Sequence, residues 1–240
     1  MKRTGLKLTP RLLLVAAVPM IVMFIMAVVG ISSSCRSITE SIVQHELSTA
    51  QYAFEISVGN IAQGAYKYVN GNFFKGQHNV SNNTSFFDNF SQKVDLQVSV
   101  FYDNEQVATS LMDKEGNRMT GIEAASEIYE MVVGQGQNYY SNCVKLAGNE
   151  YYAMYCPLYQ FNKDEIIGMT FVGLRKSTVN TIYMANLTKY LALFVVIFLV
   201  GIVLSLVSIQ VVVKGIKEVV AKLNLLADGA LNIKIDRFIR

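Results

Sequence analysis

Charge, histidine and cysteine are all scarce in this chain, and each scarcity removes a class of function. Charged residues make up 16% of the 240, too few for a chain that lives wholly in water. The two histidines, His45 and His78, lie outside the strand-like runs described below. The sequence has no Gly-x-Ser-x-Gly, no cluster at metal-ligand spacing and no phosphate-binding glycine loop. The groups that a catalytic site must bring within reach of one another are missing. We therefore expect no catalytic residues, no metal and no cofactor.

Cysteine occurs three times. Cys143 and Cys156 fall on consecutive strand-like runs. With Gly148-Asn149 as a two-residue turn, Cys143 faces Met154 and Cys156 is its diagonal neighbour. Diagonal positions are roughly 7–8 Å apart, too far for a disulfide without a change of register. Cys35 stands alone just beyond the first apolar run, where it can cross-link two chains that associate along this segment.

What the chain does have is two long runs free of charge, residues 12–31 and 190–213. Each is long enough to cross a bilayer as a helix. The first exceeds the 7–15-residue core of a cleaved signal peptide, so a retained anchor is expected. The formal net charge of +3 belongs to the flanks of these runs. Lys2, Arg3, Lys7 and Arg11 precede the first, and Lys214, Lys217 and Lys222 follow the second. The segment between them is richer in acid, with Glu40, Glu46, Glu55, Asp88, Asp95, Asp103 and Glu105 in its first half. The positive-inside rule then predicts two cytoplasmic termini and an external middle. Basic residues placed this way face a membrane surface, and no nucleic-acid partner is expected. The resulting map is a cytoplasmic N-terminus (1–11), a first span (12–31), an extracellular domain (32–189), a second span (190–213) and a cytoplasmic segment (214–240).

Past the first span, residues 35–69 contain no proline, and apolar or small residues recur at Leu47, Ala50, Phe54, Val58, Ile61, Ala65 and Tyr68. Steps of three and four predict one long helix, ended by Asn70-Gly71-Asn72. Its stripe must be covered by a sheet, by a second copy of itself, or by both. Residues 73–93 are polar around Phe86, Phe87 and Phe90 and read as a loop with a short helix.

The middle of the domain, residues 94–175, carries the strand pattern. LQVSVFY (96–102), QVATSLM (106–112), NYYSNCVKLA (138–147), EYYAMYCPLYQF (150–161) and EIIGMTFVGLRK (165–176) are apolar runs bounded by Gly, Asn and Asp turns, one of them at residues 162–164. A helical stretch, EAASEIYEMVVGQG, separates the second from the third. This predicts an α+β domain, with about five antiparallel strands and the long helix packed on one face. The other face, under the loops and a short helix at 124–133, is the expected place for a small cavity.

Aromatic side chains concentrate there, and most are expected to be packing. Arg118, between the Gly116-Asn117 turn and Thr120-Gly121, has a hydroxyl two residues on and can form a two-pronged anchor for a carboxylate. Lys145 points opposite to Val144 and Leu146, either to solvent or over the pocket. The expected ligand contacts are Arg118, Thr120, Tyr139, Tyr151 and Tyr155, with Lys145 and Thr109 behind them. One arginine and several hydroxyls suit a small organic acid or an amino acid.

The stretches FYDNEQVATSLMDKEGNRMTG, GQGQNYY, LAGNEYYAMYCPLY and EIIGMTFVG resemble a single Cache domain, the extracellular PAS-like sensor of bacterial receptors. Gln106 departs from that pattern, which often has Arg before Val-Ala-Thr; a different ligand is implied. Ile216, Val219, Val220, Leu223 and Leu226, followed by Asp228-Gly229 and alternating Leu231, Ile233 and Ile235, resemble the first helix and connector of a HAMP linker, with Gly215 in place of its usual Pro. Together the modules resemble the front half of a methyl-accepting chemotaxis protein. The resemblance implies a two-span receptor in the lipid of the cell membrane, homodimeric along residues 35–69, with a small extracellular ligand. A sensor histidine kinase or a cyclic-dinucleotide enzyme carries the same input modules and is the alternative. The sequence stops within the HAMP segment, leaving a fragment and a truncated product equally open.

Overall fold

A computed structural model describes residues 8–161 and 165–227. The expected helix stop at Asp228-Gly229, the alternating residues after it and the turn at 162–164 lie outside the described residues. The elements run α1 (Leu8–Gly59), β1 (Tyr66–Val69), β2 (Asn72–Lys75), β3 (His78–Asn79), α2 (Thr84–Val94), β4 (Gln97–Tyr102) and β5 (Glu105–Thr109). Then come α3 (Ser126–Tyr129) with a π-helical turn Glu130–Gly134, β6 (Tyr139–Leu146), β7 (Asn149–Tyr159), β8 (Ile166–Arg175) and α4 (Lys176–Ala227). They form two compact units. One is Cys35–Met184, and the other is the described chain before and after it.

The membrane-type unit is built from the apolar parts of α1 and α4. Both helices are long and apolar enough to cross a membrane, and neither apolar window is buried inside the protein. Phe24 packs against Phe198 and Phe194, with ring centroids 4.5 and 5.5 Å apart. Most other large apolar side chains there are bare: Met23 is 71% exposed and Val211 67%. Such a surface is stable only against lipid or protein.

In the second unit, five antiparallel strands lie in the order β5-β4-β8-β7-β6. Alternation sorts their side chains to two faces. Val98, Val100, Tyr152, Met154, Cys156, Leu158, Val172 and Leu174 pack with Val43, Leu47, Phe54 and Val58 of α1. Full burial of each such side chain contributes about 1.5–3 kcal/mol. Within this apolar layer Gln51 of α1 donates from Nε2 to Thr170 Oγ1 on β8, and Thr170 donates on to the Cys156 carbonyl at 3.3 Å. The α+β architecture, with five antiparallel strands and α1 on one face, is therefore as the sequence pattern predicts.

Two expectations are corrected. The helix ends at Gly59, and residues 66–75 form a β-hairpin, β1–β2, that also pairs with β3. Asn70-Gly71 supplies its turn: both residues have left-handed φ (50° and 76°), as a two-residue hairpin turn requires. The β6–β7 turn is Ala147-Gly148, since Leu146 faces Asn149. A bulge between Ser141 and Val144 then sets Tyr140, not Cys143, opposite Met154. Cys143 is exposed, Cys156 is buried, and both thiols are free.

Candidate functional site

The sheet face away from α1 holds most of the residues singled out above. Thr109, Ser99, Phe171, Tyr155 and Tyr139 form one row across β5, β4, β8, β7 and β6, each the register partner of the next. A neighbouring row carries Gln106, Phe101 and Met169. Above them lie Leu111, Ile128 and Val132, which make one apolar cluster with Phe101, Tyr151, Tyr155, Met169 and Phe171. The cap helix is the predicted one, shortened to Ser126–Tyr129 and continued as a π-turn.

Two of the expected contact residues are therefore core residues. Tyr151 is 1% exposed and Tyr155 3%. Tyr155 stacks obliquely on Phe171 at 5.1 Å, and Tyr139 meets it edge-on at 6.5 Å. Burial, with a smaller contribution from Tyr139, pushes the Tyr155 phenol well above its ordinary pKa. Tyr139 is half-buried and donates to Glu127 Oε1 at 3.4 Å. The Thr109 hydroxyl is engaged locally: it shares a 2.7 Å hydrogen bond with Ser99 and accepts from the Leu111 amide at 2.9 Å. Gln106, the departure noted in the sequence, is 1% exposed and donates to Ser99 at 3.2 Å. The face thus presents a polar corner (Gln106, Ser99, Thr109) beside an aromatic floor.

Because Tyr155 stays protonated in the fold at pH values where an unfolded chain ionises it, its contribution is complete below about pH 10 and is lost as pH rises beyond that. The loss approaches about 1.4 kcal/mol per pH unit for one such group. We expect Tyr155→Phe to raise the pH midpoint of alkaline unfolding, measured by urea titrations at pH 8, 10 and 11. An unmoved midpoint would refute the burial argument.

Arg118 is not free. Its Nη2 donates to Asp88 Oδ2 at 2.5 Å and its Nη1 to the Thr109 carbonyl at 2.6 Å. It straps α2 to the end of β5. Asp113 folds the preceding turn by accepting from the Glu115 and Asn117 amides. Thr120 and Lys145 are exposed, and Lys145 lies on β6, the opposite edge strand from Thr109. The seven residues thus divide. Thr109, Tyr139, Tyr151 and Tyr155 share a face, Arg118 closes its rim, and Thr120 and Lys145 stand apart. The Arg118–Asp88 pair is 20% and 45% exposed, so solvent weakens it. A double-mutant cycle with Arg118→Ala and Asp88→Ala should give a coupling near 1 kcal/mol in the protein without ligand. Zero coupling would return Arg118 to the pool of uncommitted cations.

Residues the sequence reading passed over line the other side of the sheet. A cavity of about 560 Å³ is bounded by the end of α1, the β1–β2 hairpin and the end of β7, with Glu55, Tyr66, Lys75 and Gln160 on its walls. A smaller one of about 260 Å³ shares Glu55 and Tyr159 with it and reaches Gln51. Lys75 was hidden because Asn72–Lys75 reads as polar loop. As a strand it turns Phe73 and Lys75 inward together.

Residues 78–186 match the family model of single cache domain 3, and a search of the curated proteins finds no match. The matched segment holds the five-stranded antiparallel sheet, α1 precedes it, and a long apolar helix lies on either side of the sheet in sequence, the architecture of a single Cache domain. A domain of this kind implies extracellular ligand sensing in a signalling receptor, and two apolar helices flanking it are consistent with a two-span membrane protein.

Proposed function

We propose that this chain is the input region of a bacterial transmembrane chemoreceptor of the methyl-accepting type. The Cache match, which follows α1 and runs into the start of α4, is the observation that carries this reading. In it both termini are cytoplasmic, the domain samples the outside, and the chain itself catalyses nothing. A small organic acid or amino acid binds the domain and shifts a two-state equilibrium. The shift passes as a displacement of α4 into the HAMP-like segment.

The reading includes a homodimer along α1, and the exposed side of that helix supports it. Ile38, Ile42, His45, Thr49, Tyr52 and Ile56 follow one another at steps of four and three, the seam of a two-helix contact. Ile38, Ile42 and Tyr52 are 58%, 59% and 67% exposed, while the buried stripe of Val43, Leu47, Phe54 and Val58 points into the domain. Cys35 continues the seam.

The test is a thermal melt of the full chain in nanodiscs against small carboxylates, amino acids and amines. A ligand at a hundred times its dissociation constant adds about 2.7 kcal/mol, a clear shift. No shift across the panel would point to a protein partner in place of a direct ligand. Topology has its own readout. In intact cells a membrane-impermeant maleimide should label Cys143, which is exposed, and spare Cys156. Burial and Glu55 push the Cys156 thiol up to about 12, so almost no thiolate exists at pH 8. Labelling of Cys143 only after lysis would reverse the orientation.

A further inference from the structure

The larger cavity has the makings of a site that the sheet face lacks. Lys75 is 4% exposed. Its ammonium lies 4.0 Å from the centroid of the Tyr66 ring, and it lines the cavity. Among the described residues no carboxylate comes within 4 Å of it and it donates no hydrogen bond. Burial accordingly lowers its pKa. An ammonium withdrawn from water without a counter-ion is costly, and a ring face offsets only part of that cost.

The walls are firmly built. Gln160 accepts from the Tyr66 amide at 2.7 Å and donates back to the Tyr66 carbonyl at 3.0 Å, tying the hairpin to the end of β7. The Gly76 amide donates to the Ala65 carbonyl at 2.9 Å. At Gly76 (φ +59°) any Cβ would meet the Gln63 carbonyl oxygen at 2.0 Å. Glu55, an exposed residue of α1, lines this cavity with Lys75 and borders the smaller one too. One helical turn before it, Gln51 is 2% exposed, and its Oε1 has no hydrogen-bond partner among the described residues. The larger cavity is therefore lined by a buried, unpaired ammonium and by the carboxylate of Glu55, while the unmatched Gln51 acceptor lines the smaller one.

We propose that this cavity binds a small amino carboxylate, with Lys75 taking the carboxylate and Glu55 taking the ammonium. The proposal rests on the ligand-sensing reading above and moves the contact from the aromatic sheet face to the α1 side. Such a ligand would bridge α1 and the β1–β2 hairpin within the domain. Its binding would then bear on the helix that carries the proposed dimer seam.

The experiment titrates the full chain in nanodiscs with glycine, β-alanine and 4-aminobutyrate, and with propionate and propylamine as single-charge controls. At least one amino carboxylate should raise Tm and bind tenfold or more tightly than either control. Lys75→Met should weaken it at least thirtyfold, Lys75→Arg only a few-fold, and Glu55→Gln should weaken the amino carboxylates but not propionate. Without ligand, Lys75→Met should melt at or above the parent temperature, because it removes a buried charge. A fall in that temperature with binding unchanged would make Lys75 a structural residue and overturn the proposal. Binding that survives Lys75→Met but is lost in Tyr139→Ala would overturn it and leave ligand sensing intact on the sheet face. Failure of all five probes would also overturn it, while the wider panel judges sensing separately.

Discussion

Phe54→Ala should cost the domain about 3–5 kcal/mol, the range for deleting a fully enclosed aromatic ring. Phe54 has no exposed surface. Its ring lies 5.0 Å from Phe90, 6.1 Å from Phe87 and 6.3 Å from Phe86. Those three belong to α2, so the ring is the place where α1 meets both α2 and the sheet layer. The neighbouring rings are held by their own helix and collapse poorly into the space left behind, which puts the cost at the upper end. At about 2–4 °C per kcal/mol for a domain of this size, Tm should fall by roughly 6–20 °C. Calorimetry of the full chain in nanodiscs measures it. Glu46→Ala, on the exposed side of the same helix, should stay within about 0.5 kcal/mol of the parent. If Phe54→Ala did the same, α1 would not be docked on the sheet as described.

The reason Phe54 could be picked from the sequence is periodic. Leu47, Phe54 and Val58 repeat at helical steps, and the repeat is real up to Gly59. Beyond it the pattern misleads. Ile61, Ala65 and Tyr68 keep steps of three and four, yet Tyr66 and Tyr68 also alternate as a strand does. Over four residues the two periods cannot be separated, and only pairing with Asn72–Lys75 decides. Asn70-Gly71 was legible as a stop, but the same pair is a hairpin turn. The strands of the sheet were legible because each is long and bounded by turns. The β6–β7 register was not, since the bulge at Ser141–Val144 has no sequence mark.

The site was less legible than the fold for a related reason. A residue's availability depends on partners far along the chain. Arg118 looks free until Asp88, thirty residues earlier, arrives on α2. Lys75 looks solvated until the hairpin closes over it. Chemistry-bearing residue types can be read from sequence; whether their hydrogen bonds are already taken cannot.

Ile42→Glu should turn the proposed dimer into a monomer. Ile42 sits mid-seam, between Ile38 and His45, and is 59% exposed in the single chain. In a two-fold dimer every substitution occurs twice, once from each side of the same patch. Two carboxylates would then face each other where two isoleucines met. The contact loses its apolar burial, about 25 cal/mol per Å², and gains an unpaired, like-charged couple whose desolvation costs several kcal/mol. A loss of 3 kcal/mol or more weakens dimerisation by at least about a hundredfold. The stability of the single domain should hardly change, because the buried stripe is untouched. Light scattering of the solubilised chain reads the mass directly. Oxidation gives a second readout: Cys35, on the same seam, should form a disulfide-linked dimer in the parent and lose it in Ile42→Glu. Ile42→Leu should keep both. A parent chain that is monomeric at high concentration, or an Ile42→Glu variant that still cross-links through Cys35, would remove α1 as the dimer contact.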